Sequence, residues 1–236
     1  MILEANPHHE FMIDARETMY PTYAKFFTET TGDIGQEYAT TYGYILEASG
    51  EVNIAANGQL WNLRQGNYFA FHGVMDIFGV DTSNQGSGKF KMWTVTKLGY
   101  KCMPMVGQVE DNGRLSYIDG CSDSVLVSMP RFGDPVLNYL HFPTGVYQTQ
   151  HTHPSIRMGI VISGQGEAFQ EKSNYSDGWV LPLTSGCMFQ LEESELHSFR
   201  TTNSHMDIIA FHPDSDTGPT DENHSMINRT YIDHGK

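Results

Sequence analysis

Three histidines carry the most informative spacing in this 236-residue chain. His151 and His153 flank a single threonine, and His197 follows further along the chain. In an extended strand, residues i and i+2 point to the same face, so the first two imidazoles lie side by side. The preceding run 146–150 is β-branched and aromatic enough to predict such a strand. Two imidazoles on one strand and a third from a distant strand suit divalent iron, manganese, nickel, copper or zinc.

Strand parity nominates further residues around these histidines. Counting in twos from His151 places Tyr147 and Arg157 on the inward face, and we take both as candidate catalytic residues. Tyr147 could donate a hydrogen bond to a substrate, although packing in a core is the commoner role of a strand tyrosine. A guanidinium can hold a carboxylate in a bidentate fork. His212, which follows the segment 206–211, is a candidate fourth metal ligand.

The segment around the histidine pair resembles the first motif of the cupin superfamily. That motif is a glycine, five residues, His-x-His, three or four residues, a glutamate, six residues and a glycine. Here Gly145 comes five residues before His151, His153 completes the pair, and Gly164 closes the pattern. Arg157 stands where the family has its glutamate ligand, and an arginine cannot ligate a metal because it has no free lone pair.

The second cupin motif is also recognisable. In the family it is a glycine, five residues, Pro-x-Gly, two residues and a histidine. Here it runs from Gly186 to His197, with Glu192 and Ser194 in place of the proline and glycine. The resemblance implies jelly-roll barrels and a metal ion held by the three histidines. It also implies dioxygenase, isomerase, lyase or decarboxylase chemistry on a small polar substrate, often a carboxylate.

Arg157 leaves three interpretations open. In the first, a three-histidine site keeps the full charge of the ion and Arg157 clamps a substrate carboxylate. In the second, its charge repels the metal and the pocket binds an anion without an ion. In the third, Arg157 pairs outside the pocket with acidic residues of the second motif, namely Glu192, Glu193 or Glu195. We favour the first, with iron as the leading metal and manganese, nickel or zinc as alternatives.

Glycine-centred segments recur along the chain. The segment around Gly50 resembles that around Gly164, and the segment around Gly66 resembles that around Gly186. This repetition predicts an all-β chain of two tandem cupin-like jelly-roll barrels, 1–120 and 121–236. The positions of the first copy that match the ligand positions of the second hold Glu37, Ala39, Gly43 and Ile77. The first barrel is therefore expected to be structural, and the second to carry the site and a polar C-terminal tail.

Composition narrows the classes of partner. The net charge is −14, and neither half offers a basic face, so nucleic-acid binding is not expected. There is no apolar run long enough to cross a bilayer and no signal-like N-terminus, so a cytoplasmic location is expected. Three widely spaced cysteines predict free buried thiols, among which Cys187 lies nearest the second motif. A small molecule is the expected partner, and a homodimer stays open.

Together these patterns predict a mononuclear metal-dependent enzyme. A three-histidine cupin dioxygenase acting on a small carboxylate is the leading hypothesis. The alternatives are a non-catalytic barrel that binds a small molecule or anion as a sensor or store, and a cupin isomerase or lyase.

Overall fold

The structure is a computed structural model, and it describes residues 2–4, 11–28, 32–81, 83, 86–174 and 176–214. The regular elements of the described residues are all β-strands, apart from one 3-10 turn at Ile118–Gly120. No described helix is long and apolar enough to cross a membrane. The strands are β1 (Ile2–Glu4), β2 (Phe11–Ala15), β3 (Thr22–Thr28), β4 (Gly32–Ile34), β5 (Ala39–Ala48), β6 (Glu51–Ala56), β7 (Gln59–Leu63), β8 (Asn67–His72), β9 (Met75–Val80), β10 (Phe90–Leu98), β11 (Met105–Gln108), β12 (Leu115–Ser116), β13 (Ser122–Val127), β14 (Val136–Phe142), β15 (Arg157–Gln170), β16 (Trp179–Thr184), β17 (Met188–Leu191), β18 (Ser198–Arg200) and β19 (Met206–His212).

The strands form two successive groups of antiparallel sheets. In the first half, one sheet has the order β11-β8-β5-β10-β3-β2 and another has the order β4-β9-β6-β7. In the second half, the main path is β1-β17-β15-β19-β14-β13-β12, and β16 and β18 also pair with β15. The prediction of an all-β fold is therefore confirmed. The predicted C-terminal tail lies outside the described residues from position 215 onward.

One strand crosses the predicted division at residue 120. Strand β1, at the start of the chain, pairs with β17 in the second half, with Ile2 opposite Gln190 and Glu4 opposite Met188. The backbone groups of β17 that face away from β15 thereby gain partners, which removes an open sheet edge. Residues 2–4 thus belong to the second sheet system, although the sequence assigns them to the first barrel.

Each half has its own apolar interior, and a third core joins the halves. In the shared core, Tyr42 of the first half meets Phe211 of the second, with ring centroids 5.0 Å apart. Strand β15 alternates between two environments, because successive side chains of a strand point to opposite faces. Met158 and Ile160 pack in the shared core, whereas Val161 packs inside the second half. The shared core therefore anchors the outer face of the strand that begins with Arg157.

Two glycines reveal corresponding positions in the two halves. Gly43 lies opposite Phe69 on the neighbouring strand, and Gly159 lies opposite Phe189. A Cβ atom at Gly43 would lie 2.2 Å from the Phe69 ring, and one at Gly159 would lie 2.5 Å from the Phe189 ring. Both positions need glycine because an aromatic ring covers the strand there. This shared packing aligns the two halves better than the spacing of the turn glycines does.

When Gly43 is aligned with Gly159, the residue of the first half that corresponds to Arg157 is Thr41 and not Gly43. Thr41 comes two residues before Gly43, as Arg157 comes two before Gly159, so the match of Gly43 to Arg157 is wrong. Turn glycines misled the count because turn regions tolerate insertions that paired strands do not. Thr41 pairs with Thr96, and their buried hydroxyl oxygens lie 2.9 Å apart. The first half thus holds two hydrogen-bonded threonines at this place.

Candidate metal centre

Three imidazoles meet at one end of the second half. One ring nitrogen from each of His151, His153 and His197 lies within 4.8 Å of the others. His151 and His197 exchange two backbone hydrogen bonds of 2.9 and 3.0 Å, which holds their side chains on one face. The ring centroid of His153 lies 5.1 Å from that of His151 and 5.0 Å from that of His197. The structure therefore brings together the three residues that the sequence nominates as ligands.

Backbone carbonyls orient two of the three rings. The Nδ1 atom of His151 lies 2.9 Å from the carbonyl oxygen of Thr149, and that of His197 lies 2.8 Å from the carbonyl oxygen of Glu195. A carbonyl only accepts, so Nδ1 carries the proton and Nε2 keeps its lone pair. The Nε2 atom of His197 is buried and has no hydrogen-bond partner among the described residues. A metal ion would satisfy this acceptor, and the donor set fits one.

The surroundings keep two of the imidazoles neutral. Burial lowers the pKa of His153 to about 3, and the charges of Arg157 and the other histidines add to the effect. Burial also lowers the pKa of His197 to about 4, although a hydrogen bond to the Glu195 carbonyl opposes the shift. Neutral imidazole is the form that ligates a metal. Both side chains are therefore ready to bind an ion at neutral pH.

A small cavity adjoins the cluster. Its volume is about 50 Å³, and a single water needs about 10–15 Å³ on this measure. The apolar part of its wall is formed by Leu140, Phe142, Phe189, Leu191, Phe199, Ile208 and Ala210. The polar part is formed by Tyr117, Asp123, Gln148, His151, His153, Arg157 and His212. The cavity suits a molecule of only a few heavy atoms.

Arg157 brings a positive charge into this cavity. Its side chain is 6% exposed, and its Nη1 atom donates to the carbonyl oxygens of Ser155 and Ile156 at 3.0 and 3.1 Å. Its charge lowers the pKa of His153 and of His197, so the guanidinium lies close to the imidazole cluster. The structure thus places Arg157 inside the pocket.

The third interpretation of Arg157 placed it outside the pocket beside the glutamates of the second motif. Two of these glutamates have other contacts: Glu192 accepts a hydrogen bond of 2.8 Å from Gln190, and Glu195 accepts one of 2.9 Å from the backbone of Glu192. The position of Arg157 in the cavity wall contradicts the placement outside the pocket in that interpretation.

Tyr147 lies away from the cavity, contrary to the parity argument. It is 55% exposed, and its hydroxyl donates to Glu171 at 2.9 Å. Tyr147 pairs with Arg200, whereas His151 pairs with His197. The two positions advance by four along one segment and by three along the other, so an extra residue interrupts the alternation between them. The predicted strand over 146–150 is present only as an isolated bridge, and the inward placement of Tyr147 is wrong.

The same irregularity turns Gln148 inward. Gln148 is 1% exposed and lines the cavity. Both polar atoms of its side-chain amide are buried and lack hydrogen-bond partners among the described residues. Sequence parity could not find this residue, because it assumes an uninterrupted strand.

His212 reaches the cavity without joining the cluster. It follows Ile208 and Ala210 on one face of β19, and its ring centroid lies 6.4 Å from that of His153. Burial lowers its pKa well below the usual value, and the charge of Arg157 contributes. His212 is not among the residues whose ring nitrogens converge, so its role as a fourth ligand stays a prediction.

Asp123 is a cavity residue that the sequence argument missed. The segment 119–123 is rich in turn-forming residues, but the structure begins strand β13 at Ser122 and places Asp123 in the cavity wall. Cys187, the thiol expected nearest the pocket, packs instead in the core of the second half. Cys121 and Cys187 are free and buried, as predicted, and Cys102 is free and half-buried.

A second polar cluster, between the two halves, has the residue types of a hydrolase but not the geometry. The Asp207 carboxylate accepts from Tyr139 at 3.0 Å, from His141 at 2.7 Å and from Ser163. The Nε2 atom of His205 faces both Ser163, at 3.0 Å, and Asp207, at 3.4 Å. A catalytic triad requires opposite nitrogens of the histidine to face the serine and the carboxylate. This cluster therefore fits a structural role.

The depressed histidine pKa values predict an acid-sensitive metal-free protein. The folded-state pKa values of about 3 for His153 and about 4 for His197 lie below the unfolded value of about 6.5. As the pH falls through 6.5, these histidines become protonated in the unfolded chain but stay neutral in the folded chain. The free energy of unfolding therefore decreases. Between pH 7 and 5 we expect each histidine to contribute a loss of about 2 kcal/mol.

Urea unfolding of chelator-treated protein at pH 7 and pH 5 would measure this loss. The His153→Ala variant should lose the contribution of His153, about 2 kcal/mol, whereas His197 and His212, whose pKa values burial also lowers, keep theirs. An equal pH dependence in the wild type and the variant would contradict the assignment.

Comparisons with known proteins rest on structure alone. No protein-family model and no curated protein matches the sequence. Among solved structures, a cupin 2 conserved barrel domain protein from Leptotrichia buccalis has a TM-score of 0.58 at 13% identity, covering 88% of this chain and 90% of its own. Oxalate decarboxylase from Bacillus subtilis, described with Mn(II) centres, has a TM-score of 0.59 at 10% identity over 88% and 73% of the two chains.

A third match is a variant of salicylate 1,2-dioxygenase from Pseudoaminobacter salicylatoxidans. Its TM-score is 0.60 at 11% identity, covering 87% of this chain and 75% of the dioxygenase. At such identities the likeness concerns the fold and not the activity. Together with the antiparallel sheets and the glycine framework, these matches show that this chain has the fold of the cupin superfamily.

Proposed function

We propose that this chain is a metal-dependent enzyme acting on a small carboxylate, with the ion held by His151, His153 and His197. The observation that carries this proposal is the convergence of three imidazoles, one of which has a buried Nε2 atom without a partner. An unpaired buried acceptor costs about 1–3 kcal/mol. A bound ion would remove that cost and use the orientation that the backbone carbonyls already impose.

A bound divalent ion would supply Lewis-acid chemistry and, if it is iron, a centre for dioxygen. Iron is our first choice, and manganese, nickel or zinc are alternatives, because imidazole suits all four. Three neutral ligands leave the charge of the ion uncompensated by the protein. An anionic substrate is the natural counter-charge for such a site.

Arg157 would orient that substrate. Its buried guanidinium lies close enough to the histidine cluster to influence their pKa values. A carboxylate between the two would receive charge-assisted hydrogen bonds from the planar guanidinium. The aromatic and aliphatic wall of the cavity would exclude water and strengthen these interactions. Two similar structures are named for enzymes of carboxylates, oxalate and salicylate.

Dioxygenation is the reaction that we favour, and decarboxylation is the alternative from the same fold. The test is to load the protein anaerobically with ferrous iron and to screen small carboxylates with an oxygen electrode and a carbon dioxide assay. We expect oxygen uptake that matches substrate loss and is absent in a His151→Ala/His153→Ala control. Carbon dioxide release without oxygen uptake would replace the dioxygenase by a decarboxylase. Silence in both assays would contradict the enzymatic proposal.

We also propose that the first half is a structural barrel. In the first half, Thr41 stands at the position that corresponds to Arg157. Its hydroxyl forms a hydrogen bond with Thr96 on the neighbouring strand. Ile77, the residue matched by spacing to His197, is buried in the apolar interior. Hydroxyls that satisfy each other and aliphatic side chains offer little to a metal ion. The contact between the halves then serves to support β15 and β19.

A binding module without an ion is the second candidate function. The buried charge of Arg157, next to three imidazoles, favours an anion at neutral pH and opposes a cation. In that case the cavity would hold a small carboxylate in a sensor or storage barrel. Elemental analysis distinguishes the two candidates, because only the enzyme requires an ion.

A further inference from the structure

A buried carboxylate lies in the cavity wall away from Arg157. Asp123 is 9% exposed, and the side-chain Nδ2 atom of Asn138 donates to both of its oxygens at 2.8 Å. Burial raises the pKa of Asp123, while the Asn138 hydrogen bond partly opposes the shift. A carboxylate has room for about four hydrogen bonds. Asp123 can therefore accept further donors from a molecule in the cavity.

Asp123 and Arg157 occupy different walls. Arg157 begins strand β15 and Asp123 is on β13, and strands β19 and β14 lie between them in the sheet. The charges of Asp123 and Arg157 act on Tyr117 with opposite signs: the first raises its pKa and the second lowers it. The cavity wall thus carries a positive charge at the start of β15, near the histidine cluster, and a carboxylate on β13.

Unpaired amide atoms of Gln148 lie in the same cavity wall. Both amide atoms of Gln148 are buried without a hydrogen-bond partner among the described residues. The Oδ1 atom of Asn138, the neighbour of Asp123, is likewise buried and unpaired, but Asn138 does not line the cavity. Gln148 thus presents one acceptor and one donor to a molecule in the cavity. Native proteins leave few buried polar atoms unpaired unless a ligand or water meets them.

We propose that the substrate is a small carboxylate that also bears an N–H donor, an amine or amide nitrogen, and that Asp123 and Gln148 recognise this nitrogen. This inference rests on the proposed function, since Arg157 and the metal would take the carboxylate end. Asp123 accepts the N–H group, and Gln148 provides an acceptor and a donor that match an amide. A second carboxylate at this end would meet the negative charge of Asp123 and be disfavoured.

Oxamate and oxalate are suitable probes. They have the same number of heavy atoms and fit a small cavity, but oxamate has an amide nitrogen where oxalate has a carboxylate oxygen. Their Kd values for the full-length, metal-loaded protein are measured by isothermal titration calorimetry. The quantity of interest is the ratio of the oxalate Kd to the oxamate Kd. Comparing this ratio between wild type and variants cancels any preference of the metal itself.

In Asp123→Asn the ratio is expected to fall by about tenfold or more, because the repulsion of oxalate and one charged acceptor are both lost. In Gln148→Met, oxamate binding is expected to weaken more than oxalate binding. Should Asp123→Asn fail to fold, judged by its circular dichroism spectrum, Gln148→Met decides. Ratios within twofold of wild type in the folded variants would overturn the proposal, and so would a wild type that binds neither probe.

The metal content of each sample separates this inference from the proposed function. A wild type that holds no metal yet binds oxamate selectively, with the selectivity lost in Asp123→Asn, would support the inference and contradict the metalloenzyme. A loaded protein whose ratio does not respond would overturn the inference alone.

Discussion

Replacing His153 with alanine is expected to reduce the metal content from about one ion per chain to below about one-tenth of that value. His153 provides one of three converging nitrogens, and a site with two imidazoles holds an ion far more weakly. Loss of a mere outer-shell partner costs about 10–100-fold in affinity, and loss of a direct ligand costs more. The fold should persist, because truncation removes a neutral, half-buried ring. The measurement is elemental analysis of protein purified without an affinity tag.

Two matched variants sharpen that result. His72→Ala removes a partly buried histidine of the first half, whose Nδ1 atom lies 3.3 Å from the Tyr100 carbonyl oxygen, and it should keep a full metal content. His212→Ala tests the fourth ligand: an unchanged content would exclude it, and a loss like that of His153→Ala would include it. Full metal content in His153→Ala would contradict the proposed centre.

Replacing Arg157 with leucine is expected to shift metal and anion binding in opposite directions. Removing a buried positive charge close to the imidazoles should strengthen the binding of a divalent cation, because like charges no longer repel. The same change should weaken oxamate binding by about 30-fold or more, since loss of one partner of a buried charge pair costs about 2–5 kcal/mol. Metal titration and calorimetry on one protein preparation would measure both effects.

The variant Arg157→Lys separates charge from shape. Lysine keeps the positive charge, so metal affinity should stay near the wild-type value. It lacks the planar fork that binds a carboxylate with two parallel hydrogen bonds, so oxamate binding should weaken to an intermediate level. If Arg157→Leu bound oxamate as well as the wild type, Arg157 would not be the carboxylate anchor.

Local patterns in the sequence sufficed for the fold class and for the histidines. The glycine framework and the short apolar runs predicted antiparallel strands, because strand periodicity and turn chemistry depend on neighbours along the chain. The His-x-His spacing and the partner His197 followed from the same local geometry. His151 and His197 are paired by an isolated bridge. The predicted closeness of their side chains therefore holds, although no continuous strand runs through His151.

Tertiary structure decided the rest of the site. An irregularity between Tyr147 and His151 turned the tyrosine outward and Gln148 inward, and such a change depends on pairing with a distant segment and not on local sequence. Asp123 entered the cavity because β13 joins the sheet beside β14, although its surroundings read as a turn.

The sequence alone therefore determined which functional groups the site contains. These are the imidazoles of His151, His153 and His197, and the guanidinium of Arg157 where the cupin motif has a glutamate. Only the folded structure determined which strands bring side chains to the cavity, with Arg157 on β15 and Asp123 on β13, and that strand β1 pairs with the second sheet system. The physical reason is that side-chain direction follows local periodicity, whereas register, sheet order and burial arise from contacts between residues far apart in sequence.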